Sequence, residues 1–424
     1  MKIAIIGSGI AGNVVAHHLY RAHDITVFEA ASHIGGHTHT HAVEHDGERH
    51  EIDTGFIVFN DWTYPNFIAL LNELGVESQT SQMSFSVRNE RSGLEYNGTT
   101  LNTLFAQRRN LLRPSFHRMI RDILRFNREA PTLLNATQEI CLGNFLTKGK
   151  YSPQFVNDYL IPMGAAIWST DPARMLSFPA RYFVQFFHNH GMLSVDKRPQ
   201  WRAIRGGSAR YVEKLVAPFR QRIRLNAPVE RVQRSANGVT IKVHGAEQEH
   251  FDQVFLACHA DQSLRMLVDA SPLEHAVVGA IPYQENEAVL HTDTSLLPRK
   301  HRAWAAWNYH LPNDGGDDRA TLTYNMNILQ SLKSRSTFCV SLNRTAQIAP
   351  DKIIKRLTYH HPLYTPEGVA AQQRQHEVNG VNRTYFCGAY WRYGFHEDGV
   401  VSALNALKHF ERATHAQRDL SRVA

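Results

Sequence analysis

The sequence predicts an α/β plus α+β fold: a Rossmann-like domain assembled from separated stretches of chain, interrupted by a mixed-sheet and helical domain. Three observations predict it. Residues 2–6 (KIAII) are an apolar run of strand length that leads straight into Gly7, Gly9 and Gly12. Residues 10–21 then carry apolar side chains at helical spacing, and a second short strand from Ile25 to Phe28 ends at Glu29. Strand and helix patterns of the same kind return near residues 200–280 and 380–411, with helical and strand-rich stretches between them.

The first thirty residues carry a binding chemistry. At G-x-G-x-x-G spacing, Gly7 permits a tight turn, Gly9 lets the backbone approach a pyrophosphate, and Gly12 lets the helix close onto the strand. The phosphates then sit over the first helical residues, Ile10 and Ala11, where free N–H groups and the helix dipole favour an anion. Glu29, followed by Ala30, stands about 20 residues beyond the glycines, where a carboxylate accepts ribose hydroxyls. A carboxylate at that place repels a 2′-phosphate, so these residues fit NAD or FAD.

At 424 residues the chain exceeds a single ordinary core, and two domains are expected. The pieces 1–80, 200–280 and 380–424 read as the nucleotide domain, and 81–199 with 281–379 as the substrate domain. An apolar fraction of 43% with 20% charged residues is that of a globular protein, and no run reaches the roughly 18 apolar residues of a membrane span. Lys2 before an apolar run mimics a signal peptide, but no cleavage-type ending follows. Cys141, Cys258, Cys339 and Cys387 are far apart with no C-x-x-C pair, which points to reduced thiols and the cytoplasm. Among 25 histidines no ligand spacing such as H-E-x-x-H occurs, so no metal is expected.

The formal charge of +7 is modest, but it is locally concentrated: residues 107–128 hold seven arginines. Phe116, Met119, Ile120, Ile123 and Leu124 recur at helical spacing while Arg118, Arg121, Arg125 and Arg128 share another face. That pattern fits a packed helix with a solvated basic face; it also fits a peripheral amphipathic helix, 115–128, on an anionic membrane. No aromatic-interleaved basic module accompanies it, so nucleic acid is not an expected partner.

Past Glu29, the run Gly35-Gly36-His37-Thr38 suits a loop passing close to a cofactor. Asp53-Thr54-Gly55-Phe56-Ile57 opens a short apolar strand, and residues 64–74 read as a helix ended by Gly75. After Arg205-Gly206-Gly207-Ser208 a helix fits 209–219, followed by strands near 222–225, 228–233, 238–243 and 254–257, the last ending at Ala257. A final strand, Thr384 to Cys387, turns at Gly388-Ala389, and Asp398-Gly399-Val400 begins the last helix. Asp398 reads either as a carboxylate for the ribityl or pyrophosphate part of a flavin or as a helix cap. The helix start would also favour negative charge at flavin N1–O2, a need that a nicotinamide site lacks.

With these motifs in place, the chain resembles the flavin-containing amine oxidase and phytoene desaturase superfamily. The likeness rests on GSGIAG with Glu29, Gly35-Gly36, Asp53-Thr54-Gly55, Ala227-Pro228-Val229 and residues 385–407. Within it, DTGFIVFN, RGGSARYV and GFHEDG resemble bacterial FAD-binding proteins akin to the oxidase-like domain joined to some cyclopropane fatty-acid synthases. The resemblance implies FAD as cofactor. It implies that Val229 holds the adenine through its backbone, that Gly55 and Phe56 pass near the flavin ring, and that Gly388, Asp398 and the start of the last helix line the ribityl and pyrophosphate. Two departures stand out. His37 occupies the place of an arginine common after the glycine pair, and the strand Ala288 to Asp293 lacks the usual lysine, leaving His291 as the candidate catalytic residue. The C-terminal aromatic cage of amine-oxidising members is also not present in its usual form.

The expected function is an FAD-dependent oxidoreductase that moves a hydride from a substrate C–H bond to flavin N5. The substrate is a small molecule, with a lipid or fatty-acyl chain favoured and desaturation as the matching reaction. A flavin-dependent isomerase, a conventional amine oxidase and a non-catalytic binding protein are the alternatives; intact Gly7, Gly9, Gly12 and Glu29 argue against the last.

Overall fold

A computed structural model describes residues 1–313 and 319–423. Strand β1 (Lys2–Ile6), helix α1 (Ile10–Leu19) and strand β2 (Asp24–Phe28) form the first unit. Strands β3 (Ile223–Arg224), β4 (Gln253–Leu256) and β5 (Thr384–Phe386) join β1 and β2 in one parallel sheet of order β3-β2-β1-β4-β5. Both faces of such a sheet must be covered, which is why its strands read as continuous apolar runs. Ile3 and Ile5 face one core with α1 and the C-terminal helix His396–Val423; Ala4 and Ile6 face the other, under a three-stranded antiparallel layer from residues 229–251.

A seven-stranded sheet forms the second body. Its order is 353–362, 283–291, 339–342, 322–325, 307–311, 85–89, 94–97. All its pairings are antiparallel except that of Trp307–Leu311 with Phe85–Asn89, which joins the two stretches that the sequence sets apart as insertions. A helical layer from residues 101–190 packs on it through Phe116, Met119, Phe126, Phe155 and Phe183.

Helix Pro114–Glu129 therefore takes the packed reading. Its apolar face is in the core, so it cannot lie on a membrane by that face. Arg118, Arg121 and Arg128 are exposed, whereas Arg125 lies 4.0 Å over the Tyr151 ring and 3.4 Å from Asp122. Among the described residues no helix is long and apolar enough to cross a membrane.

One ion pair is wholly internal. Arg234, 7% exposed, bonds both oxygens of Glu274, 2% exposed, with Nη2 to Oε2 at 2.9 Å; its Nε reaches Asp269 at 3.1 Å. Removing one partner of a buried pair strands the other charge. Glu274→Gln should therefore cost about 3–5 kcal/mol in urea unfolding, and Arg234→Met/Glu274→Leu together markedly less. Equal losses in the two variants would show that the pair is not what stabilises this corner.

Candidate active site

The site begins where β1 ends. Gly7, at φ +104°, donates its N–H to the Phe28 carbonyl at 2.8 Å, and a Cβ there would lie 2.7 Å from the Ala257 carbonyl oxygen. Only glycine holds this backbone without strain. Gly9 then caps α1, and around the place where its Cβ would stand no atom lies within 4 Å. Gly36 closes on it from the next loop, within 3.1 Å of the Gly9 Cα were a Cβ present. Two glycine loops thus present bare backbone to open space at a helix N-terminus, which is what an anion needs. Beside them the Glu29 carboxylate accepts the Ser8 N–H at 2.9 Å, the Ser8 hydroxyl at 2.6 Å and the Ala31 N–H at 2.8 Å.

From these loops a cavity of about 990 Å³ runs to an aromatic wall, at the upper end of the roughly 300–1,000 Å³ of small-molecule sites. It brings together most of the residues singled out from the sequence: Gly7, Gly9, Ile10, Ala11, Glu29, Ala30, Gly35, Gly36, His37, Gly55, Phe56, Ile57, Val229, Ala257, Gly388 and Ala389. Trp168, Trp307, Tyr324, Tyr364, Tyr390 and Tyr393 form its far wall. Several of its polar atoms, Trp168 Nε1, Trp307 Nε1, Tyr364 Oη and His37 Nε2, are shut off from solvent without a protein partner. Buried donors normally find an acceptor, so these atoms mark where a ligand completes the wall. The open cradle at Gly9, the carboxylate at the end of β2 and the elongated shape fit a flavin dinucleotide.

Six expected residues stand apart from the lining. Gly12 packs instead of binding: a Cβ there would lie 1.9 Å from the Gly7 carbonyl oxygen. Thr38 is buried, its hydroxyl 2.7 Å from Tyr211 Oη and 3.1 Å from His396 Nε2. Asp398 makes the contact of a helix cap and lies outside the cavity lining. Its Oδ2 accepts the Phe395 N–H at 2.9 Å, Oδ1 lies 3.5 Å from Arg392, and burial raises its pKa to about 6. Gly399 lets the last helix close on α1, where a Cβ would stand 2.6 Å from Ile10 Cγ2, and Val400 belongs to the core. His291 is fully buried in the seven-stranded sheet, off the cavity; Nε2 meets Ser341 Oγ at 2.8 Å and Nδ1 accepts the Asp293 N–H at 3.0 Å. With both nitrogens engaged in the core, it is a structural histidine and not a catalytic one.

Sequence motifs without a stated role acquire one here. Asp53, fully buried, accepts the Ser208 N–H at 2.9 Å, the Ser208 hydroxyl at 2.7 Å, Thr40 at 2.5 Å and Gln330 at 3.0 Å; burial still pushes its pKa up to about 6. The Asp53-Thr54-Gly55 turn and the Arg205-Gly206-Gly207-Ser208 turn are therefore two halves of one joint. It holds Phe56, whose ring stacks on His396 at 3.6 Å.

The largest omission of sequence reasoning is a histidine cluster. His259, His360 and His361 line the cavity near His37, with ring centroids 5.8 Å (His37–His259), 5.7 Å (His37–His361) and 6.2 Å (His259–His360) apart. Burial and mutual repulsion hold His37 near a pKa of about 4, and His259 and His361 near about 3, so all three are neutral at pH 7. No group among the described residues is arranged to hold a metal ion.

The profile of the flavin-containing amine oxidoreductases matches residues 10–321, most of the chain. The protein belongs to that family. It is an FAD-dependent oxidoreductase, and the cavity is of the kind that such a cofactor requires. Among solved structures, cyclohexylamine oxidase from Brevibacterium oxydans aligns with a TM-score of 0.70 at 16% identity, covering 98% of this chain and 99% of that one. Putrescine oxidase bound to putrescine aligns at 0.66 and 15%, covering 97% and 99%. A CLA-producing fatty acid isomerase from P. acnes aligns at 0.62 and 16%, covering 96% and 98%. At such identities these likenesses establish the shared fold. No curated protein sequence matches the chain.

Proposed function

We propose that this flavin-containing oxidoreductase acts on an apolar small molecule, a lipid or fatty-acyl chain, and desaturates it. The observation that carries this reading is the far end of the cavity. Ile167, Trp168, Trp307, Tyr324, Leu342 and Leu357 line it, and the carboxylates among the described lining residues, Glu29 and Glu230, come from the segments at the opposite end. An ammonium substrate would find no fixed anion there to offset its desolvation, whereas a hydrocarbon would lose nothing.

In the same reading, residues 1–80, 200–280 and 380–424 form the cofactor unit, and 81–199 with 281–379 the substrate unit. Val229 faces the adenine, Glu29 the ribose, and Gly7, Gly9, Gly36 and His37 the diphosphate; Gly55 and Phe56 border the ring, and Gly388 and Ala389 the ribityl chain. FAD, when bound, supplies the acceptor for a hydride leaving the substrate carbon. The neighbouring carbon would give up a proton to a neutral imidazole of the cavity, among those of His37, His259 and His361, which completes the double bond. The chain's aromatic wall holds the substrate and excludes water, and His37, His259 and His361, neutral at pH 7, add no positive charge to it.

The test is anaerobic mixing of the yellow protein with unsaturated fatty-acyl lipids and, separately, with a polyamine panel. Stoichiometric bleaching of the flavin absorbance by a lipid is expected. Bleaching by amines alone would overturn the reading in favour of a conventional amine oxidase. The likeness in fold to a fatty acid isomerase favours one second reading, in which a hydride is removed and returned to the same chain; lipid turnover without lasting bleaching identifies it.

A further inference from the structure

A second cleft, of about 920 Å³, opens between residues 88–95, 106–109 and 299–302, beside three surface turns, Leu101–Leu104, Arg108–Leu112 and His301–Ala303. Arg108 ties the first two together, donating from Nη1 to the Phe105 carbonyl at 3.1 Å and from Nη2 to Asn102 Oδ1 at 2.6 Å. The cleft is cationic: Arg88, Arg108, Arg109, Arg299, Lys300 and Arg302 line it. Two carboxylates, Glu90 and Glu95, offset part of that charge and leave the cleft with a cationic excess. Glu95, 5% exposed, accepts the backbone N–H groups of Arg299 and Lys300, each at 3.0 Å. Glu90 lies 3.2 Å from Arg88 and 2.9 Å from His310. The exposed side chains of Lys300 and Arg302 make no ion pair among the described residues.

The same turns project leucines into water. Leu101 is 76% exposed, Leu111 50% and Leu112 88%. A lone exposed leucine is ordinary; three of them on turns bordering one cationic cleft are not explained by packing or by solubility. Free phosphate would satisfy the cations and leave the leucines in water. A nucleic acid would do the same, and the cleft offers no exposed tyrosine or phenylalanine on which its bases could stack. An anionic bilayer answers both, with phosphates at the height of the arginines and hydrocarbon beneath them for the leucines.

We propose that the face formed by residues 101–112 and 299–302 docks the protein on the surface of an anionic phospholipid membrane. This surface is distinct from helix Pro114–Glu129, whose Phe116, Met119 and Phe126 are committed to the core. The proposal stands independently of the lipid-substrate reading, because its test reads binding and not turnover.

The experiment is co-sedimentation of the FAD-loaded protein with vesicles of mixed phosphatidylglycerol and phosphatidylcholine, and with pure phosphatidylcholine. Binding to the anionic vesicles alone is expected at low salt. Lys300→Glu/Arg302→Glu should weaken it by at least about 25-fold, since each cation at an anionic leaflet is worth about fivefold. Leu112→Ser should weaken it further at 0.5 M salt, where charge is screened. Each of these side chains is exposed, so unchanged flavin absorbance and thermal midpoint will show that the variants are folded. No sedimentation of the unsubstituted protein, or equal sedimentation of all three proteins, overturns the proposal. So does saturable binding of glycerol phosphate without vesicle binding, which would make the cleft a small-anion site.

Discussion

Between pH 7 and pH 5 the cofactor-free protein should lose about 8 kcal/mol of stability, enough to bring a typical domain near unfolding. His190, His291, His310 and His396 are 7%, 0%, 3% and 8% exposed, and burial holds their pKa values at about 4, about 4, about 4 and about 3 against an ordinary 6.5. The folded state thus binds fewer protons than the unfolded one below pH 6.5, so stability is complete above that value and falls as the pH drops. At pH 5 each ring costs about 2 kcal/mol, roughly 8 for the four. The cavity rings of His37, His259 and His361 are partly exposed and are discounted to about half, adding roughly 3. Asp53 and Asp398 work the other way. Their pKa values are raised to about 6 from 3.8, so acid relieves a buried charge and returns about 3 kcal/mol in all. The histidines win. Thermal midpoints followed by circular dichroism from pH 8 to pH 5 check this, and a flat profile would mean that these rings are charged in the native protein. His190→Gln, which removes one of the four buried rings, should recover about 2 kcal/mol of the difference between the two pH values.

The parts of this fold legible in the sequence are those set by neighbours along the chain. Strand β1, helix α1 and β2 appear where apolar runs, helical spacing and glycine placed them, because each pattern is satisfied by near neighbours in the chain. Asp398 shows the limit of local reading. A carboxylate at a helix start fits a cap and a cofactor ligand alike, and only the distance to the Phe395 N–H shows the capping contact. Other features were out of reach because their partners are far apart in sequence. Asp53 meets Ser208 across 155 residues. His37, His259 and His361 come from a loop, a helix start and a strand that only the tertiary fold gathers. His291 was misplaced for the same reason: a histidine on the strand expected to face the cofactor carries no mark saying which face of the sheet it occupies. The six aromatic residues of the cavity wall were individually visible, but nothing in their local sequence distinguished them from core.

Substituting Gly9 and Gly12 separately should split the opening motif into a binding half and a packing half. In Gly12→Ala the new Cβ would stand 1.9 Å from the Gly7 carbonyl oxygen and 3.1 Å from Ala257 Cβ, so α1 must lift off β1. The obstacle is backbone and cannot rotate away, which puts the cost at the upper end of overpacking, about 3 kcal/mol or more. FAD retention should fall with it, as a consequence of the damaged helix start. Gly9→Ala meets nothing within 4 Å, and the Gly9 backbone, at φ −68° and ψ −178°, is one that alanine adopts freely. Its apoprotein should be as stable as the parent, or more stable by about 0.4–1 kcal/mol through the unfolded chain. Yet the added methyl fills the space that the diphosphate needs, and FAD affinity should drop on the order of a hundredfold. Thermal midpoints of the apoproteins and titration of each with FAD by fluorescence quenching separate the two effects. A Gly9→Ala protein that binds FAD as the parent does would remove the diphosphate from this end of the cavity. The retained glycine would then have no explanation in the protein itself, because the fold leaves its missing side chain nothing to collide with.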